Sequence, residues 1–159
     1  MNFFSRKEAF WITAIAVSLV ISWGIWVFQP EKYDRRVLFF PNHYVSGIGT
    51  EERALKVQQD FEPAVEYFVQ EYMHGPAKNR HFRLFPLATR LKTVFVAEDI
   101  LFIDLDFRVL RPDPELRFPL SRSLEIFTDS VKFNFPSIRE IVWTVEGRIP
   151  DFGFLAELE

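Results

Sequence analysis

Apolar residues form one unbroken run near the start of the chain and shorter periodic runs after it. Ala9 to Phe28, AFWITAIAVSLVISWGIWVF, carries no charge. At ~1.5 Å per residue, roughly 20 helical residues cross a hydrocarbon core of ~30 Å. Trp11 stands near one end, with Trp23 and Trp26 near the other, and indole rings favour both membrane interfaces. The run therefore predicts a transmembrane helix over 9–28, behind a short cytoplasmic N-terminus at 1–8. A cleaved signal peptide competes with this reading, but the run is long for one and no clear A-x-A site follows. A soluble helix would show a polar face, and this segment is apolar all round. Ala14, Ser18 and Ser22 share one helix face, where small residues either let two helices approach or simply meet lipid.

Residues 29–36 read as a polar linker containing Pro30. Val37 to Phe40 (VLFF) is a strand candidate ended by Pro41. Asn42 to Thr50 reads as a loop, and Glu51 to Val57 (EERALKV) fits a helical turn or a short strand equally well. Asp60 to His74 predicts the clearest helix. Asp60 can cap it, Pro63 falls in its first turn, and Gly75-Pro76 stops it. Phe61, Val65, Phe68 and Tyr72 form its apolar stripe. Thr93–Val96 and Leu101–Leu105 predict a hairpin turning at Glu98-Asp99, with Leu101, Ile103 and Leu105 towards the core and Asp104 away from it. Leu120 to Phe133 is a second amphipathic helix, with Leu120, Leu124, Phe127 and Val131 in line. Ile141, Trp143 and Val145 alternate in a last strand closed by Gly147. The order β-α-β-β-α-β predicts an α+β domain over 37–150, with an antiparallel or mixed sheet and both helices on one face. An acidic tail, 151–159, follows.

Composition narrows the function. The chain has 159 residues, 48% hydrophobic and 26% charged: enough for one ordinary domain beyond the apolar run, and too apolar for wholesale disorder. Its 19 Phe can fill a core. A net charge of -3 disfavours a nucleic-acid partner. With no Cys, disulfides, thiolate zinc sites, Cys nucleophiles and N-terminal lipidation on Cys drop out.

Candidate chemistry is sparse. His43, His74 and His81 lack metal-ligand spacing; His74 suits the negative end of its helix. Ser46-Gly-Ile-Gly is too short for a phosphate loop and has no Lys. Asp151-Phe-Gly spells a kinase tripeptide without the rest of a kinase. Asp104 and Asp106, two apart on a strand, would face the same way about 7 Å apart, a spacing open to two catalytic acids as well as to a solvated strand face. Glu51, Glu52 and Arg53 suggest local ion pairs, worth less than ~1 kcal/mol if exposed. The best signal is electrostatic. Tyr72 to Ala97 contains no acid but carries Lys78, Arg80, Arg83, Arg90 and Lys92. Those five are the candidate contact for an anionic partner: cell-wall polymer, lipid headgroups or an acidic protein surface. The alternative is a solvated loop whose charges pair elsewhere. No enzyme activity, cofactor or metal is expected.

Several blocks together resemble the GerMN domain, the module of spore germination and sporulation proteins. In order they are LFFPN, the Glu–Arg pair of EERAL, AVEYFVQEYMHGP, the P-x-x-T-x-L stretch from Pro86 to Leu91, FIDLD, LSRSLEIFTDSV and IVWTVEG. They cover about two thirds of the chain. The match departs at the hairpin turn, where the family has Asp-Gly and this chain has Glu98-Asp99. That departure predicts a looser turn or one a residue longer. It also departs in carrying one domain behind a membrane span, where relatives often carry two domains or a lipobox.

The resemblance implies an extracytoplasmic, anchored domain without catalytic activity, from a group whose relatives pack into rings or envelope-spanning assemblies. It also sets the orientation. Arg6 and Lys7 precede the span, and Lys32, Arg35 and Arg36 follow it, so charge alone leans weakly towards a cytoplasm-facing protein. The leading expectation is a single-pass scaffold or interaction module of the bacterial inner membrane, facing the periplasm or exterior, with envelope proteins or further copies of itself as partners. The alternative is a cell-wall glycan hydrolase or its direct activator.

Overall fold

The computed structural model describes residues 6–27, 32–42 and 47–150. His43, Ser46, Asp151 and the acidic tail lie outside the described residues. The chain divides into two units, parted between Lys32 and Tyr33.

The first unit holds helix α1, Arg6–Val27. Its described side chains run from Phe10 to Ile25, with only Thr13, Ser18 and Ser22 polar. At ~1.5 Å per residue that stretch is about 24 Å long. Among the described residues no helix is long and apolar enough to cross a membrane, so the expected span over 9–28 has a helix beneath it but no structural support as a crossing.

The second unit is α+β: β1 (Tyr33–Pro41), β2 (Ile48–Lys56), α2 (Phe61–Met73), β3 (Leu91–Ala97), β4 (Ile100–Leu105), a 3-10 turn (Phe107–Leu110), α3 (Leu120–Asn134) and β5 (Glu140–Val145). It contains two sheets, where the sequence pattern predicts one. β1 and β2 form an antiparallel pair, and β3-β4-β5 is mixed, with β5 parallel to β4. β1 begins at Tyr33, inside the expected linker. EERALKV resolves as strand: β2 turns Glu51 and Leu55 inward, both buried, and leaves Glu52 and Ala54 exposed.

The helices do not line one face of one sheet. A file of rings passes through them from sheet to sheet. Phe40 of β1 meets Tyr72 of α2 at 5.0 Å, Tyr72 meets Phe127 of α3 at 4.7 Å, and Phe127 meets Trp143 of β5 at 5.0 Å. Val65, Phe68, Tyr72, Leu124, Phe127 and Val131 are buried, with Leu101, Ile103 and Leu105 beside them. Phe61, expected in the stripe, is 43% exposed and only edges onto Phe135 at 5.9 Å; in the first turn it projects past the core. Asp60 occupies the N-cap of α2 without a side-chain cap bond.

At Val37 and Phe39 the outer edge of β1 is sealed by side chains; at Pro41 the carbonyl accepts from the Phe82 amide. Asn134 donates to the Val37 carbonyl and accepts from the Val37 amide. Ser130 accepts from the Phe39 amide, and the buried Tyr72 hydroxyl donates to the Phe39 carbonyl. Main-chain groups that would otherwise stay unpaired are thereby satisfied.

The β3–β4 turn is tight. Ala97 pairs with Ile100, leaving Glu98 and Asp99 as a two-residue loop. The expected extra length is absent, because Glu98 itself adopts φ 59. After β5, Glu146 and Gly147 both take positive φ, and Arg148 exchanges two main-chain bonds with Val145. That is the hairpin geometry in which Gly is favoured.

Candidate interaction surface

The acid-free stretch begins where α2 ends. Gly75 takes φ +76 there, and the Arg83 guanidinium packs so closely that a Cβ would lie 3.1 Å from it. The loop that follows is held from below by β2. Strand alternation turns Glu51, Arg53 and Leu55 to the inner face. Glu51, 2% exposed, accepts from the amides of Ala77 and Lys78 at 3.1 and 3.3 Å. It also takes a salt bridge from Arg53 at 2.7 Å. Arg53 donates in turn to the carbonyls of Glu71 and Gly75, so it caps the C-terminal turn of α2, where free carbonyls accumulate.

The condition of exposure is not met for Glu51 and Arg53: the pair is buried and ties strand, helix and loop together. Burial raises the Glu51 pKa, but the Arg53 bond and the two loop amides outweigh it, and the carboxyl titrates below its ordinary value. Reading EERALKV with period two would have exposed the pattern, because buried Leu55 marks the inward face.

His81 closes the network. Its side chain is buried, and Nδ1 has no hydrogen-bond partner, standing 3.6 Å from Glu51 Oε2. Desolvation lowers its pKa below the ordinary value, Glu51 opposes that shift, and Arg80 and Lys78 reinforce it. A Cβ on Gly49 would come within 2.7 Å of His81 Nε2, so Gly49 makes room for the ring. His81 is a structural residue that the search for metal spacing passed over. Among the described residues no group of His and carboxylates could hold a metal ion.

The five basic candidates do not all share one environment. Lys78 and Arg80 are exposed in the loop after α2. Arg83 is half-buried against Gly75. Arg90 is exposed, and its main chain exchanges bonds with Asp106. Lys92 lies 2.6 Å from Glu146. That hydrogen bond raises the Lys92 pKa, with Asp104 and Asp106 adding to it, and lowers the Glu146 pKa. Lys78, Arg80 and Arg83 therefore gather around the end of α2, while Lys92 is matched by acids. One further cation joins from a distant loop: Arg117 stacks over Phe82 at 5.7 Å. No spacing in the sequence signals that approach.

The two aspartates do not make an acid pair. β4 ends at Leu105, so strand alternation does not carry over to Asp106. Asp104 accepts from Thr144 Oγ1 and the Gly147 amide, and Asp106, buried, accepts from the Arg90 amide and pairs with Arg108 at 3.4 Å.

No family model matches the chain, and no curated protein matches it. Among solved structures it is similar to a protein described as a lipoprotein of Clostridium perfringens, at 18% identity and TM-score 0.48, over 78% of this chain and 83% of that one. It is similar to the tandem GerMN domains of the sporulation protein GerM from Bacillus subtilis, at 10% identity and TM-score 0.49, over 74% of this chain and 40% of that one. The first GerMN domain of the same protein gives 15% identity and TM-score 0.47, over 74% and 86%. At TM-scores below 0.5 these likenesses carry no inference about what the chain does.

Proposed function

We propose that this chain is a membrane-anchored interaction module of the bacterial cell envelope, held in the inner membrane by 9–28 with its α+β domain facing the periplasm or exterior. It works by presenting a surface, not by catalysis. One observation carries the reading: Lys78 and Arg80 stand exposed on a loop whose main chain is fixed by a buried carboxylate. A scaffold that spends a buried ion pair on holding exposed cations in place suits recognition of an anionic partner. The charge-free run of α1 and the GerMN resemblance of the sequence support the location. The hydrolase alternative would rest on Asp104 and Asp106, whose carboxylates bond to Thr144, Gly147, Arg90 and Arg108 within the protein.

A C-terminal alkaline phosphatase fusion tests the location: it is expected to be active, and an inactive fusion overturns it. Changing Lys78 and Arg80 together to Gln is expected to reduce crosslinked partner recovery at low salt, by on the order of 1 kcal/mol per charge near an anionic surface, with the melting temperature unchanged. Equal recovery from both proteins would return the loop to a solvated connection.

A further inference from the structure

The bonds that seal β1 also fix which way β2 faces. Val37 and Phe39 turn their main-chain groups to the helices, so the alternate residues of β1 face β2, opposite Glu51, Arg53 and Leu55. In an antiparallel ladder the intervening residues then point outward. Those are Glu52 and Ala54, and among the described residues their main-chain N–H and C=O groups have no partner. β1 is thus closed at Val37 and Phe39, and β2 is open at Glu52 and Ala54. The charges of Glu52 and Lys56 discourage indiscriminate pairing there without removing the row of donors and acceptors.

Beside that edge lies a groove of about 330 Å³, bounded by residues 51–55 of β2, by Tyr67 and Glu71 of α2, and at one end by Ala77 and Lys78. A smaller hollow of about 50 Å³ shares Leu55 and Tyr67 with it and is bounded also by Val57, Ala64 and, on β1, Asp34 and Arg36. The larger groove is the part that runs along the strand, at residues 51–55. Its inner wall offers the half-buried Tyr67 ring beside Leu55, and one turn along α2 the Glu71 carboxylate. Glu71 already has two cationic neighbours, Arg53 at 3.7 Å and the exposed His74 at 3.8 Å; neither contact is at hydrogen-bond distance, so the carboxylate keeps acceptor positions for a closer donor.

We propose that β2 and α2 form a receptor for an extended peptide segment of a partner protein, which adds to β1–β2 as a third strand. Among ligands, a polypeptide carries donors and acceptors alternating at the spacing of an open strand edge, and strand addition beside a helix is an established mode of peptide capture. Inward side chains of the added strand recur every ~7 Å. One is apolar and covers Tyr67; the next is Lys or Arg and meets Glu71. This deepens the interaction-module reading and rests on it for the partner being a protein, but not on the membrane side that the domain faces.

The test is selection of displayed random octapeptides against the full-length protein in detergent, followed by amide chemical-shift mapping with the selected peptides. Expected are alternating sequences that pair an apolar residue with Lys or Arg two positions away and shift the amides of Glu52 and Ala54. Methylating alternate peptide amides is expected to weaken binding about tenfold or more. Ala54→Pro, which removes an outward N–H from an edge strand without touching the β1 ladder, is expected to do the same while the melting temperature holds. Glu71→Lys provides a second variant, expected to shift selection towards acidic peptides. Peptides that map only to Lys78 and Arg80, insensitivity to amide methylation, or no binder at all would overturn the proposal. An inactive phosphatase fusion would sink the location and leave this result standing.

Discussion

Glu51 is a buried charge that satisfies four donors: two loop amides and two nitrogens of Arg53. Removing one member of a buried pair strands the other, at a cost of about 3 kcal/mol or more. Glu51→Ala is therefore expected to lower the urea midpoint sharply and to release the 76–80 loop to proteolysis, whereas Glu52→Ala, on the exposed face, is expected to change the midpoint little. The same cluster sets an acid limit. His81 titrates below its ordinary 6.5, so the unfolded chain takes up its proton first, and stability starts to fall as pH drops through 6.5. Glu51 titrates below its ordinary 4.5, so its contribution is intact above that value and is lost as pH falls through the folded pKa. Urea midpoints followed from pH 7.5 to 5 are expected to decline for the native chain and to flatten in His81→Phe. An equal slope in the two proteins would remove His81 from the account.

At the scale of elements, β1 depends on groups that belong to neither neighbouring strand. Asn134→Ala is expected to leave the Val37 amide unsatisfied, costing about 1–3 kcal/mol, while the Val37 carbonyl keeps the Ser130 hydroxyl as donor. Hydrogen exchange checks this: the Val37 and Phe39 amides should exchange faster while those of β3 and β4 hold. The helices and the β3–β4 hairpin were legible in the sequence because their apolar spacing is regular and local, as with Val65, Phe68 and Tyr72 or Leu101, Ile103 and Leu105. β2 was legible only as one of two alternatives, because two of its inward residues, Glu51 and Arg53, are charged and look like surface. Neither was the division into two sheets, which depends on Ser130 and Asn134 reaching β1 from more than 90 residues away. The basic stretch was visible as composition. Its division into an exposed group near α2 and a matched Lys92 was not, since Glu146 lies 54 residues further on.

At the scale of the molecule, the ring file from Phe40 through Tyr72 and Phe127 to Trp143 makes the two sheets one cooperative core. A protein beginning at Lys32 is expected to be soluble and to melt in one transition, monitored by near-ultraviolet circular dichroism. Phe127→Ala, in the middle of the file, is expected to cost about 3–5 kcal/mol and to loosen both sheets together, visible as parallel loss of amide protection in β1 and β4. Loss confined to one sheet would mean two independent cores.

The sealed edge of β1 also imposes an order on synthesis. The β1–β2 hairpin is complete once Lys56 has left the ribosome, but Asn134, which closes over Val37, follows 78 residues after Lys56. At translation speeds of about 5–20 residues per second, that separation corresponds to roughly 4–16 s. For that interval the β1–β2 segment has both edges open and Leu38 and Phe40 uncovered, the kind of surface that another strand can join. Every copy of this protein passes through that exposed stage once, and the last turn of α3 ends it.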